Sequence, residues 1–189
     1  MKKSWLVAGT GLALACALAA GMFVKGVSAQ PGAPRKPLPS PYAETLQRIG
    51  VADVKIAYHR PAVKGREIWG TKLVEYDKPW RAGANDTTVI SFEKDVKIEG
   101  QALPAGAYGF HIIPSADKDW ILIFNKTSKS WGSYTYKEAD DALRVSVKPQ
   151  DAPLQERLTY GFEDLTETSA VAYMHWEKKK VAFKIEVAQ

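Results

Sequence analysis

Cysteine is nearly missing from this chain: 189 residues hold one, Cys16. It lies within an N-terminal apolar run, with Ala13 where a lipid-attachment site needs a leucine-like residue. Everything beyond that run is without disulfides, cysteine-ligated zinc or a thiol nucleophile. Histidine is scarce too, at three residues, and the first 29 positions carry no acid. Those positions hold three of the 26 basic residues, so the rest has 23 basic against 21 acidic residues, a net charge of +2. That balance does not imply a nucleic-acid surface. The chain also lacks a phosphate-binding glycine loop, a dinucleotide fingerprint, a His-Glu-x-x-His pair, a Gly-x-Ser-x-Gly elbow and any long amphipathic helix.

What is there begins with an address. Lys2 and Lys3 precede an uncharged run from Ser4 to Val24, and Val27-Ser28-Ala29 sets small residues before Gln30. This pattern predicts a signal peptide over 1–29, cleaved to leave a periplasmic or secreted protein. The run is about long enough to span a bilayer, so membrane contact is expected only if it is kept as an anchor. Five prolines between Gln30 and Pro41 exclude helix and central strand there, which predicts a linker over 30–41 and a loose tail or spacer.

From residue 42 to 189 the pattern is that of short strands. Val54, Ile56 and Tyr58 share one face, as do Tyr108, Phe110 and Ile112; Leu143, Val145 and Val147; Leu158, Tyr160 and Phe162; and Val181 to Val187 at alternate positions. Thr88–Phe92, Val96–Ile98, Trp120–Phe124 and Ala170–Trp176 read as further strands, and 43–49 as a strand or a short helix. Turns are expected at 99–101, 103–106, 114–117 and 148–153, and at Glu177 with the three lysines after it. The fold class is all-β, a single antiparallel sandwich or jelly-roll-like domain.

His59 to Asn85 breaks that rhythm. A connection this long inside a compact domain serves a function or is disordered, and its tryptophans argue against disorder. Arg66 and Arg81 beside Trp69 and Trp80 suit recognition of carboxylates, phosphates or sugar faces. The competing reading makes the indoles packing anchors and the arginines partners in structural ion pairs.

The motifs Tyr58-His59-Arg60-Pro61, 64–70 (Lys-Gly-Arg-Glu-Ile-Trp-Gly), 80–85 (Trp-Arg-Ala-Gly-Ala-Asn), 103–114 from Leu103 to Pro114, Ser130-Trp131-Gly132 and Trp176-Glu177-Lys178 stand in fixed order. On these the chain resembles the bacterial proteins grouped as DUF2911, from about Ser40 to Val187. The resemblance implies export and a β-rich domain, and it brings no activity with it.

Without cysteine, imidazole is the remaining soft ligand, and His59, His111 and His175 each fall on or at the end of a strand. Their convergence would make an open site for a divalent metal. Ala57 beside His59, and Ala107 and Gly109 beside His111, leave room; His175 shares its face with Val171 and Tyr173 and reads as core. The expectation is non-catalytic binding of a small polar or anionic ligand, or of an envelope protein, through His59, Arg66, Trp69, Trp80, Arg81, Asn85 and His111. The alternatives are a histidine-ligated metalloenzyme in the same cleft and a structural envelope protein.

Overall fold

Among the described residues, alternating apolar positions give ten strands because each can bury one face. The computed structural model describes residues 36–187; the signal segment expected over 1–29 lies outside them. The strands are β1 (Tyr42–Ile49), β2 (Ala52–His59), β3 (Thr88–Phe92), β4 (Val96–Ile98), β5 (Gln101–Leu103), β6 (Gly106–Ile113), β7 (Trp120–Asn125), β8 (Asp141–Val147), β9 (Gln150–Glu163) and β10 (Ser169–Val187). One turn of 3-10 helix, Glu138–Asp140, precedes β8. All pairings within the sheets are antiparallel, in a six-stranded sheet of order β1-β2-β3-β6-β7-β8 and a four-stranded sheet of order β5-β4-β10-β9.

The two sheets meet over one core. Phe110 and Phe124 of the first sheet pack on Phe183 of the second at centroid distances of 5.8 and 6.0 Å, and Tyr58 meets Tyr160 edge-on at 4.7 Å. These three contacts cross between the layers. Side chains of alternating strands thus form the sandwich expected of them.

Three local expectations change. Segment 43–49 is strand, not helix, paired along its whole length with β2. β5 occupies the space between two turn signals only a few residues apart. The lysine-rich stretch after Trp176 is not a turn, because β10 runs straight through it and Lys180 pairs with Glu163 at 2.7 Å. Glu177 takes φ +53 there, the register shifts on both sides, and the buried positions pass from even (Ala170 to Trp176) to odd (Val181 to Val187). Pro153 falls inside β9 opposite this irregularity, where a strand tolerates a residue with no donor.

The described end of the linker, Lys36 to Pro41, is tied to the body instead of hanging loose. The Pro41 carbonyl accepts from Arg60 N–H at 2.9 Å, the Pro39 carbonyl from Arg157 at 3.3 Å and the Ser40 carbonyl from Asn85 at 3.3 Å. Among the described residues no helix is long and apolar enough to cross a membrane.

Candidate functional site

The connection between β2 and β3 stitches the two sheets together at one end. Its first part runs beside β9, with Val63 N–H donating to the Glu156 carbonyl at 2.8 Å and Leu158 N–H to the Pro61 carbonyl at 3.0 Å. Its later part lies beside β6, where Trp80 forms an isolated bridge with Ile112. Ile68, Val74, Trp80 and Ala82 are buried along the way. Such a path needs apolar anchors, and the tryptophans provide them. Trp69 sits among Trp80, Trp120 and Trp176 at centroid distances of 5.8, 4.7 and 5.9 Å, and Trp80 stacks on Trp176 at 5.7 Å. The packing reading of the indoles is therefore part of the answer.

It is not all of it. A cleft of about 250 Å³ opens beside this cluster, lined by Arg66, Trp80, Arg81, Asn85, Trp176 and Ser40 among others. Four residues that the sequence pattern singles out from one segment thus face a common space. Trp176 arrives from β10, and Ser40 from the end of the linker.

Neither arginine makes an ion pair among the described residues, contrary to the structural ion pairs of the competing reading. Arg66 spends two N–H groups on backbone, Nε on the Val63 carbonyl at 2.9 Å and Nη2 on the Ala62 carbonyl at 2.6 Å. A guanidinium has five, so three are left. Arg81 is half-buried, and desolvation lowers its pKa, against a smaller opposing effect from Tyr134. Its Nε is buried with no hydrogen-bond partner. Among the described residues the other buried side-chain donors without one are the indole Nε1 atoms of Trp69 and Trp176. All three orphaned atoms belong to the tryptophan cluster or to the arginine following Trp80, which is a concentration of unmet donors in one place.

The backbone at Arg81 is held tightly. Ala82 adopts φ +51, a left-handed conformation unfavourable for a residue with a Cβ. Its carbonyl accepts from the buried hydroxyls of Thr88 at 3.0 Å and Tyr160 at 2.8 Å, which stabilise that geometry. Gly83 follows in a crowded position, where a Cβ would lie 2.8 Å from Thr88 Oγ1 and 3.3 Å from the His59 carbonyl.

The histidines do not assemble. His59 and His111 lie on β2 and β6 with β3 between them, both on the outer face of the six-stranded sheet. The registers Ala57↔Val89 and Thr88↔Phe110 place them roughly 10 Å apart, two strand spacings, with Thr87 between. His175 is on the other sheet, on its outer face instead of in the core, and its Nε2 donates to the Pro153 carbonyl at 2.9 Å. No three His, Cys, Asp or Glu side chains among the described residues are placed to hold a metal.

The space expected beside His111 is filled by the connection that follows β7. A Cβ at Gly109 would strike the Thr127 carbonyl. His111 is 3% exposed, shares a hydrogen bond with Ser133 Oγ at 3.3 Å and packs against Tyr136. Burial pushes its pKa down to about 4. His59 packs edge-on against Tyr42 and borders a separate outer-face cleft of about 350 Å³ with Asp86, Ser128 and Lys129. Neither imidazole lines the arginine cleft.

Sequence reasoning missed Trp176 as a lining residue of the arginine cleft. The period-two pattern had placed Trp176 on a strand, and nothing in that pattern says which strand end closes on which loop. No curated protein and no solved structure matches the chain. A family model described as a protein of unknown function, DUF2911, matches residues 40–185, and the chain belongs to that family.

Proposed function

We propose that this chain is an exported, non-catalytic binding protein for a small anionic ligand, held between Arg66 and Arg81 against the indoles of Trp80 and Trp176. The observation that carries this reading is the half-buried Arg81 guanidinium, with its Nε orphaned and no carboxylate in ion-pair reach among the described residues. A desolvated charge without a counter-ion is costly, and a bound anion supplies one. Charge-assisted bonds from two planar guanidinium groups suit a carboxylate or phosphate. The ring of Trp176 lines the same cleft, and its buried indole N–H is likewise without a partner. Asn85 is the remaining amide, anchored by its Nδ2 to the Ser40 carbonyl.

Isothermal titration of the full chain with citrate and with inorganic phosphate tests the binding. The expected result is saturable binding of at least one of them, weakened roughly ten- to hundredfold by Arg81→Gln, as for loss of a hydrogen bond to a charged group. Binding of neither anion, or an Arg81→Gln variant that binds as the parent does, would overturn the reading. Export rests on the N-terminal pattern of Lys2, Lys3, the apolar run and Ala29. N-terminal sequencing of protein recovered from the periplasm or medium of a bacterial host is expected to begin at Gln30; recovery only from the cytoplasm would contradict it.

A further inference from the structure

Two large rings stand in water beside the arginine cleft. Trp131 is 60% exposed and Tyr134 is 80% exposed, and the rings are parallel within 5° at a centroid distance of 5.6 Å. Both lie on the connection between β7 and β8, which is clamped to the β2–β3 connection. Gly132 N–H donates to the Asn85 carbonyl at 3.0 Å, Thr87 N–H to the Ser130 carbonyl at 3.0 Å, and Thr87 Oγ1 to the Gly132 carbonyl at 2.5 Å. Gly132 takes φ +69, and a Cβ there would come within 2.9 Å of the Tyr134 ring. The chain is therefore shaped to seat that ring in a fixed but exposed position.

Tyr134 forms one rim of a second cleft of about 250 Å³, with Lys72, Glu75, Lys78, Arg81 and Ser133 around it. Trp80 and Arg81 line both clefts, so they form the wall between them. The polar groups of the outer cleft are of both signs, since Lys78 pairs with Glu75 at 2.5 Å. A compact polyanion gains little where a carboxylate lines the cavity. A ring bearing several hydroxyls gains from both, because each hydroxyl donates and accepts. An open aromatic face suits the C–H face of a pyranose, and among the described residues two cations of this cleft, Lys72 and Arg81, lack a carboxylate partner; Lys72 is exposed, whereas Arg81 is half-buried in the wall between the clefts.

We propose that the outer cleft is a saccharide subsite for a uronic-acid-bearing oligosaccharide, with a pyranose face on Tyr134 and its carboxylate on Arg81. Trp131, stacked parallel to Tyr134, braces that ring. This inference rests on the anion-binding reading above, of which it names the ligand class.

The test is calorimetric titration of the full chain with tetragalacturonate, neutral galactotetraose and citrate. Tetragalacturonate is expected to bind more tightly than citrate, galactotetraose more weakly than tetragalacturonate, and Tyr134→Ala to weaken tetragalacturonate about tenfold, the size of one aromatic contact. Trp131→Ala is expected to weaken it in the same direction. Both side chains are exposed, so an unchanged melting temperature checks that the variants fold. Citrate binding without tighter binding of tetragalacturonate, or an unaffected Tyr134→Ala variant, overturns the saccharide inference and leaves the anion reading standing. Equal affinity for galactotetraose removes the role of the carboxylate. Binding of none of the three overturns both.

Discussion

Trp80 and Ile112 exchange a pair of backbone hydrogen bonds, Trp80 N–H to the Ile112 carbonyl at 2.8 Å and Ile112 N–H to the Trp80 carbonyl at 2.9 Å. The long connection is thereby joined to β6 at the residue immediately before Arg81. Two adjacent side chains then do different work: Trp80, 6% exposed, packs among the indoles, while Arg81 faces the cleft without a counter-ion. Trp80→Ala is expected to cost about 3–5 kcal/mol, as for removal of a buried aromatic. Arg81→Met is expected to leave the ligand-free stability unchanged or to raise it by up to about 1 kcal/mol, because a desolvated charge without a partner is removed. Urea denaturation of both variants decides this, and a loss at Arg81→Met comparable to that at Trp80→Ala would make the arginine a packing residue.

The fold was readable where a strand buries one face and exposes the other. In β2 the alternation of Val54, Ile56 and Tyr58 with less buried residues is the direct consequence of a single core, and β6 keeps Tyr108, Phe110 and Ile112 on that core although the connection after β7 covers its other face as well. It failed where a local conformation cancels the period. Glu177 reverses the buried parity of β10, so two halves of one strand look like two strands, and the lysines between them look like a turn.

The cleft was half readable for a related reason. Arg66, Trp80, Arg81 and Asn85 crowd one segment that cannot be strand, but Trp176 comes from an element whose proximity depends on the packing of the two sheets. Period two also does not say which face of a strand is the core. That is why His175 read as buried, and why the small residues beside His111 suggested a space that the next connection fills.

Tyr160 acts on Arg81 from the core. Its hydroxyl donates to the Ala82 carbonyl at 2.8 Å, and its ring sits against Tyr58. Tyr160→Phe keeps the ring and removes one of the two hydroxyls holding Ala82 at φ +51. The expected cost is about 1 kcal/mol of stability, that of one net hydrogen bond. Citrate affinity should fall with it although Tyr160 is buried, since the conformation next to Arg81 loosens. A stability loss with unaltered affinity would show that Thr88 alone suffices to hold the backbone.

His111 makes stability depend on pH. Its folded pKa is pushed down to about 4 by burial, below the roughly 6.5 of an exposed imidazole. Between those values the unfolded chain binds a proton that the folded chain does not, so stability falls as pH drops from about 6.5 to about 4. The full effect is on the order of 3 kcal/mol. The groups around the ring, Ser133, Tyr136, Asn125 and Thr127, carry no charge to offset this, and Asp141 nearby is engaged by the Tyr136 hydroxyl at 2.7 Å and by Arg144 at 3.6 Å. Urea denaturation at pH 7 and pH 4.5 should show a larger loss for the parent than for His111→Gln; equal losses would assign the acid sensitivity to other groups.

Gly132 and Gly65 separate backbone strain from side-chain collision. Both take left-handed conformations, φ +69 and φ +65, which carry a similar penalty for alanine of about 1 kcal/mol. A Cβ at Gly65 meets nothing within 4 Å, whereas at Gly132 it meets the Tyr134 ring at 2.9 Å. Gly65→Ala is therefore expected to lower stability by the conformational term alone. Gly132→Ala carries the same term and must also push the Tyr134 ring away from its seat, which is cheap in stability because the ring is 80% exposed. The difference should appear in binding: tetragalacturonate affinity falls with Gly132→Ala by about as much as with Tyr134→Ala, and not with Gly65→Ala. If Gly132→Ala binds as the parent does, the seated position of that ring has no part in recognition.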